Sequence, residues 1–151
     1  MTIRLETSKR FGVRNNQGSE IQWGALEYLR RIALGRPNVK ARTGPSPIFN
    51  CHGLTFASRR TKITETSDIF RILQDDCWNE VPAEKTMGGD IVLYLDGEGD
   101  INHSGIVVWR EHGLGVPWIC SKWGSAGEFV HMLGDVPEFY GPNHKFYRCK
   151  L

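Results

Sequence analysis

The sequence lacks several features that would assign it directly to a class. None of its four cysteines forms a CxxC pair, which argues against a ribbon-type or finger-type zinc site. Its apolar runs reach only about five residues, and Met1 to Arg14 alternate polar and charged residues, so neither a membrane span nor a signal peptide is predicted. We therefore expect a cytoplasmic protein with reduced thiols, with export only by a non-classical secretion route.

The sequence also lacks a strong net charge, which is +2 over 151 residues. With 40% hydrophobic and 24% charged residues and no linker or repeat, it predicts one domain over residues 1–151. The charge is uneven, since residues 1–62 hold twelve Lys/Arg against three Asp/Glu, and the remainder holds seven against fourteen. Attraction between the two halves is the favoured interpretation. A nucleic-acid partner is ranked low because no aromatic residues interleave with the basic ones.

Hydrophobic periodicity predicts helices in the first half of the chain and strands in the second. The expected helices cover residues 20–34, a segment that begins at Cys51, and residues 66–78, with an irregular connection over 36–47. The expected strands cover residues 90–95, 103–110, 116–123 and 145–150. Helices followed by an antiparallel meander indicate the α+β class.

Cys51 is the one cysteine in a distinctive local pattern, Pro-Ile-Phe-Asn-Cys-His-Gly-Leu over residues 47–54. The proline-rich approach keeps it near the first turn of a helix, where backbone N–H groups favour a thiolate and could bind a developing oxyanion. His103 opens the strand after the turn at 96–102, which predicts an imidazole at a sheet edge. A metal site with Cys51, His52 and His103 was weighed, but adjacent residues on a helix diverge and no fourth ligand is evident, so no metal or cofactor is expected.

Three segments carry a family resemblance. Asn50-Cys-x-Gly-Leu at a helix start, Gly89-Asp-Ile-Val at a strand start and His103-x-Gly-Ile at the next strand, about fifty residues from Cys to His, resemble NlpC-type and CHAP-type cysteine peptidases and amidases over roughly residues 45–124. The chain is also similar to uncharacterised bacterial proteins with Asn-Cys-His-Gly-Leu-Thr-Phe and Ser-Lys-Trp-Gly segments, here residues 50–56 and 121–124.

The resemblance implies a papain-like fold, with N-terminal helices packed on an antiparallel β-meander. Cys51 would attack a carbonyl and form a thioester that water hydrolyses, with His103 as the base. The family's usual substrates are amide bonds in peptidoglycan peptides. His52 stands where the family commonly has a small residue, but it should point about 100° away around the helix.

The resemblance also implies a third group, which orients the imidazole. In relatives it lies on the strand after the base, where this sequence offers Cys120, Ser121 and Lys122, none of them an obvious match. The turn at 111–115 leaves that register uncertain by a residue. His131 is chemically best suited and is the first choice, with Ser121 second.

The leading prediction is a thiol hydrolase that cleaves an amide or isopeptide bond in a peptide, a protein or a peptidoglycan peptide. An exported effector or toxin, with an immunity or other partner protein, and an intracellular processing enzyme are both compatible with it. The alternative is a catalytically silent papain-like domain that binds a peptide or partner protein, because the third residue is not evident. An electrostatic nucleic-acid binder ranks third, and no membrane association is expected.

Overall fold

The computed structural model describes residues 1–110 and 115–150. Three helices and seven strands occur there in the order α1 Trp23–Leu34, β1 Val39–Ala41, α2 Cys51–Phe56, α3 Thr66–Asp75, β2 Trp78–Val81, β3 Ile91–Leu95, β4 Ile101–Arg110, β5 Pro117–Lys122, β6 Glu128–Met132 and β7 Asn143–Cys149. Short 3-10 helices occupy Ala83–Lys85 and Glu138–Tyr140. Most of the turn expected at 111–115 lies outside the described residues.

All seven strands form one antiparallel sheet in the order β1-β6-β5-β4-β3-β7-β2. The consecutive strands β3 to β6 form a meander, of which periodicity predicted β3, β4 and β5. The predicted last strand, β7, does not extend this meander but returns to pair with the free side of β3. The α+β class with an antiparallel sheet is therefore confirmed. Among the described residues, no helix has the length and apolar character needed to cross a membrane.

Three strands were missed and one helix was predicted too long. The helix expected to run to residue 78 ends at Asp75, because Cys77 adopts φ 58° and Trp78 already pairs with Cys149 as the start of β2. β1 has only three residues within the connection expected to be irregular, and β6 follows the turn at Gly127. A three-residue edge strand such as β1 carries too few residues for periodicity to identify it, and the five residues of β6 alternate too briefly to stand out from the turn that precedes them.

The sheet has two covered faces, because successive side chains of a strand point to opposite sides. On one, called the α1 face, Leu26 and Leu29 of α1 pack against strand residues such as Tyr94, Val107 and Phe129. On the other, called the α2 face, α3 packs against β3 through a separate apolar cluster, and α2 packs near Cys120. Each helix therefore belongs to a definite side of the sheet, which decides what its residues can reach.

Ion pairs connect the basic and acidic parts of the chain. In the described residues, Arg14 pairs with Glu65 and Asp68, and Arg42 and Arg59 both pair with Glu128. In each pair the basic residue comes from residues 1–62 and the acidic residue from the remainder. The two halves therefore attract each other within the fold.

Candidate functional site

Helix α2 begins at Cys51 because Asn50 caps it. The Asn50 side-chain oxygen accepts hydrogen bonds from the backbone N–H of Gly53 at 2.9 Å and of Ile63 at 3.2 Å. Its amide nitrogen donates to the Ile63 carbonyl at 2.8 Å. The cap thus fixes both the helix start and the neighbouring chain, as the position of Cys51 after the prolines predicted.

Glycine is required at position 53 for the same neighbouring chain. A Cβ there would lie 1.8 Å from the Thr61 carbonyl oxygen, a distance that no side chain tolerates. Residues near 61 to 63 can therefore lie directly against α2.

The Cys51 thiol has surroundings that act on it in two directions. Burial raises its pKa to about 11, because water no longer solvates a thiolate. Backbone hydrogen bonds from Ser104, His52 and Cys51 itself lower the pKa, and so does the charge of Lys122. The polar groups that act on this sulfur are thus donors or a cation.

His52 packs inward against β4. Its Nδ1 lies 2.8 Å from the Ser104 hydroxyl, which lies 2.9 Å from the Thr55 hydroxyl. Thr55 donates to the Cys51 carbonyl at 2.9 Å, so its oxygen is left to accept from Ser104, and Ser104 in turn accepts from His52 Nδ1–H. Burial lowers the pKa of His52 to about 4, which keeps its Nε2 unprotonated near neutral pH.

His103 is not where the sequence predicted it. It is the third residue of β4, in the middle of the sheet, and it is fully buried rather than at a sheet edge. The Ser104 side chain bonds to α2, so the neighbouring His103 side chain points to the α1 face. There its ring stacks on Tyr140, with centroids 3.8 Å apart and planes 2° from parallel.

The His103 ring makes no hydrogen bond to Cys51. Neither ring nitrogen has a hydrogen-bond partner in the part of the chain that the structure describes. Burial lowers the pKa of His103 well below its usual value, and the nearby charges of His131 and His52 lower it further. The structure therefore keeps this imidazole neutral and separate from the thiol.

Ser121 and His131 lie together, also on the α1 face. The His131 Nδ1 lies 2.7 Å from the Met132 carbonyl, which requires a proton on Nδ1, so Nε2 accepts from the Ser121 hydroxyl at 2.6 Å. The Trp123 indole N–H donates to Ser121 at 3.1 Å. Burial lowers the pKa of His131 to about 4. The two candidates for the third residue thus bond to each other, and in the described residues neither bonds to His103.

Helix α2, which carries Cys51, and the His103–Tyr140 stack lie on opposite sides of one stretch of β4. The pairing of β4 with β3 covers Ile101 to Ile106, whereas its pairing with β5 begins only at Ile106. Ser104, in the part before that point, provides the backbone N–H that acts on Cys51. Tyr140, stacked on His103, has its pKa raised by burial and also by the Cys51 thiol. Cys51 and the His103–Tyr140 stack therefore lie on opposite sides of β4, and in the described residues no hydrogen bond joins them.

Lys122 is the residue at this site that sequence reasoning did not assign. It was one of three polar candidates on its strand, without a role. In the structure its Nζ donates to the carbonyls of Ser46 and Gly124 and lies 4.8 Å from the centre of the Phe49 ring. Burial lowers the pKa of Lys122 to about 8, while the charges of Cys51 and Glu128 raise it. A buried lysine beside a candidate nucleophile was visible in the sequence only as part of the Ser-Lys-Trp-Gly segment.

A cavity of about 250 Å³ lies between α1 and β1, lined largely by apolar side chains such as Ala33, Val39 and Phe129, away from Cys51. Residues 1–110 and 115–150 hold no group of three or more His, Cys, Asp or Glu side chains arranged to bind a metal ion.

Comparison of the chain with protein-family models, with curated proteins and with solved structures found no significant match in any of the three.

Proposed function

We propose that the chain is a thiol hydrolase, a cysteine peptidase or amidase of papain-like type, with Cys51 as its nucleophile. The observation that carries the proposal is the placement of Cys51 as the first residue of α2, where backbone N–H groups and the charge of Lys122 act to lower the pKa of its thiol against the effect of burial. A cysteine with only a packing role is expected in apolar surroundings, whereas donors and a positive charge favour a thiolate and an oxyanion.

The reaction is acyl transfer through a thioester. The Cys51 thiolate attacks the carbonyl carbon of an amide, and the C=O electron pair moves to the oxygen. Collapse of this intermediate breaks the C–N bond, and the amine leaves with a proton. Water then hydrolyses the thioester, which releases a carboxylic acid and restores the thiol.

His103 is the base that the sequence predicts, but its side chain points to the α1 face, whereas α2 lies on the other side of the sheet. It would reach Cys51 only through a rearrangement of β4 that also breaks its stack with Tyr140. This rearrangement would break no hydrogen bond of the His103 ring, because both ring nitrogens are unpartnered in the described residues. His131 and Ser121 bond to each other on the α1 face, so they would not orient His103 after such a movement. The substrate class remains an amide or isopeptide bond in a peptide, a protein or, by the resemblance, a peptidoglycan peptide.

The test is hydrolysis of peptide amides, isopeptide-linked peptides and peptidoglycan fragments, followed by mass spectrometry of the products. Cys51→Ala should abolish hydrolysis with an unchanged melting temperature. Cys77→Ala is the matched control, because Cys77 is exposed and lies at the start of β2, so its loss should leave the rate unchanged. Hydrolysis by Cys51→Ala at the wild-type rate would refute the proposal.

A specific observation favours the alternative of a silent papain-like domain that binds a peptide or partner protein. The pKa of Cys51 is raised to about 11, and among the described residues no histidine hydrogen-bonds to its thiol. A silent domain would show no hydrolysis of any of these substrates, and it would bind one of the same peptides equally well with Cys51→Ala.

A further inference from the structure

Lys122 is buried without a counter-ion. Its side chain is fully excluded from solvent, and among the described residues it forms no ion pair. The nearest carboxylate that acts on it, Glu128, already accepts hydrogen bonds from Arg42 and Arg59. Lysine is almost never fully buried unless paired, because an isolated ammonium is costly to remove from water. The cost of this burial is lower if the Lys122 amino group is neutral for part of the time, so we expect a role in which it changes protonation state.

The acceptors around the amino group fit both protonation states. The carbonyls of Ser46 and Gly124 accept two N–H bonds from Nζ. A neutral amine has two N–H groups and one lone pair, whereas an ammonium has three N–H groups. The two carbonyls use the two N–H groups that both forms share. The remaining tetrahedral position is then either a lone pair or a third N–H.

The amino group is tied to the segment that carries the nucleophile. Ser46 and Phe49, its acceptor and its ring contact, belong to the chain that enters α2 at Cys51. The Lys122 charge lowers the pKa of Cys51, and Cys51 raises that of Lys122. No direct hydrogen bond joins Nζ to the thiol in the described residues, so the proton would pass through an intervening water.

Burial and the charged groups around Lys122 together set its pKa close to neutral pH. Burial lowers the pKa most, and Lys62 lowers it as well, whereas Cys51 and Glu128 raise it. The resulting value of about 8 lies in the range suited to a general base.

We propose that Lys122, rather than His103, exchanges the proton of Cys51. The inference rests on the proposed function, since it requires Cys51 to act as a nucleophile. The neutral amine takes the thiol proton and becomes an ammonium, leaving a thiolate that attacks the amide carbon. The ammonium then gives that proton to the departing amine as the C–N bond breaks. In the second half of the cycle the neutral amine takes a proton from water as the water oxygen attacks the thioester carbon. The C–S bond then breaks, and the ammonium returns the proton to the Cys51 thiolate as the carboxylic acid leaves.

The experiment measures the rate at which iodoacetamide alkylates Cys51 across a pH series, with peptide mapping by mass spectrometry. The variants are Lys122→Met, Lys122→Arg and His103→Ala, and the exposed Cys77 of each sample is an internal reference. At pH 7.5, Lys122→Met should alkylate about tenfold more slowly than wild type, the effect of one pKa unit. Lys122→Arg should alkylate at least as fast as wild type, because its charge is permanent, yet it should not hydrolyse amides. His103→Ala should stay close to wild type.

A second measurement covers the case in which Lys122→Met fails to fold. An NMR titration of the Lys122 side chain in wild type and in Cys51→Ala should give a lower pKa in the variant, because Cys51, which raises the pKa of Lys122, is absent.

Two results would overturn the inference. One is an unchanged alkylation rate in Lys122→Met with unchanged melting. The other is the same Lys122 titration with and without Cys51. Slow alkylation in His103→Ala alone would indicate that His103, not Lys122, takes the proton, with Cys51 still the nucleophile. Failure of the proposed function would instead appear as hydrolysis without Cys51.

Discussion

Removal of the Glu128 carboxylate should destabilise the protein more than removal of any exposed charge. Glu128 is only 1% exposed and accepts two hydrogen bonds from Arg59, at 2.8 and 3.0 Å, and one from Arg42, at 2.8 Å. Arg59 follows α2 and Arg42 follows β1, so this one carboxylate holds both segments to β6.

The size of the effect follows from which partner is buried. Breaking a fully buried ion pair costs about 3–5 kcal/mol. Both arginines are nearly half exposed and regain water when the carboxylate is removed, so we expect Glu128→Gln to cost about 3 kcal/mol. For a domain of this size that corresponds to about 10 °C in melting temperature. Arg42→Gln, which removes one of the three arginine hydrogen bonds, should cost about 1 kcal/mol.

The stability difference between wild type and Glu128→Gln should depend on pH. Burial alone would raise the pKa of Glu128, but the hydrogen bond and charge of Arg59 and the charge of Arg42 bring it below its usual value. A carboxyl with a depressed folded-state pKa stabilises the protein above its unfolded pKa of about 4.3 and loses that contribution as pH falls through the folded value. Urea denaturation followed by tryptophan fluorescence should show wild type and Glu128→Gln converging below about pH 4. A stability difference under about 1 kcal/mol at pH 7, or one independent of pH, would refute the reasoning.

Three further predictions concern single side chains and can be checked by urea denaturation at pH 7. Asn50→Ala should cost about 2 kcal/mol, because it removes the helix cap and two further hydrogen bonds, and a loss below about 0.5 kcal/mol would contradict that role. Gly53→Ala should cost at least about 3 kcal/mol, since its Cβ would overlap a backbone carbonyl, whereas Gly24→Ala, in an open helical position, should stabilise by about 0.5–1 kcal/mol. His103→Phe should cost nothing, because it removes two unpartnered buried nitrogens, whereas His131→Phe should cost about 2 kcal/mol by leaving a buried serine hydroxyl without its acceptor. Equal losses for the two histidine variants would show that the His103 nitrogens are satisfied.

The start of α2 could be predicted from sequence because its causes are local. Prolines before the segment, Asn50 as a cap and Gly53 at the close contact all act within a few residues of Cys51. Four of the strands were predicted for the same reason, because their apolar residues lie close together in the sequence and are bounded by turn residues.

The side of the sheet that each candidate faces could not be predicted in that way. His103 and Ser104 differ by one position, and only the contact of Ser104 with α2 decides that His103 points away. The pairing of Ser121 with His131 depends on β6, a strand that periodicity did not identify. The position of the Lys122 amino group depends on the Ser46 carbonyl, which is distant in sequence, and backbone groups carry no signal in the residue pattern.

The measurement that tests the central claim most directly is acid-quench trapping of the acyl intermediate. A turning-over reaction is stopped with acid, and the protein is digested and mapped by mass spectrometry. We predict an acyl group on Cys51 that neutral hydroxylamine removes, as a thioester requires, and none in Cys51→Ala. Hydrolysis that proceeds with the acyl group on another residue, or with Cys51→Ala fully active, would contradict the account.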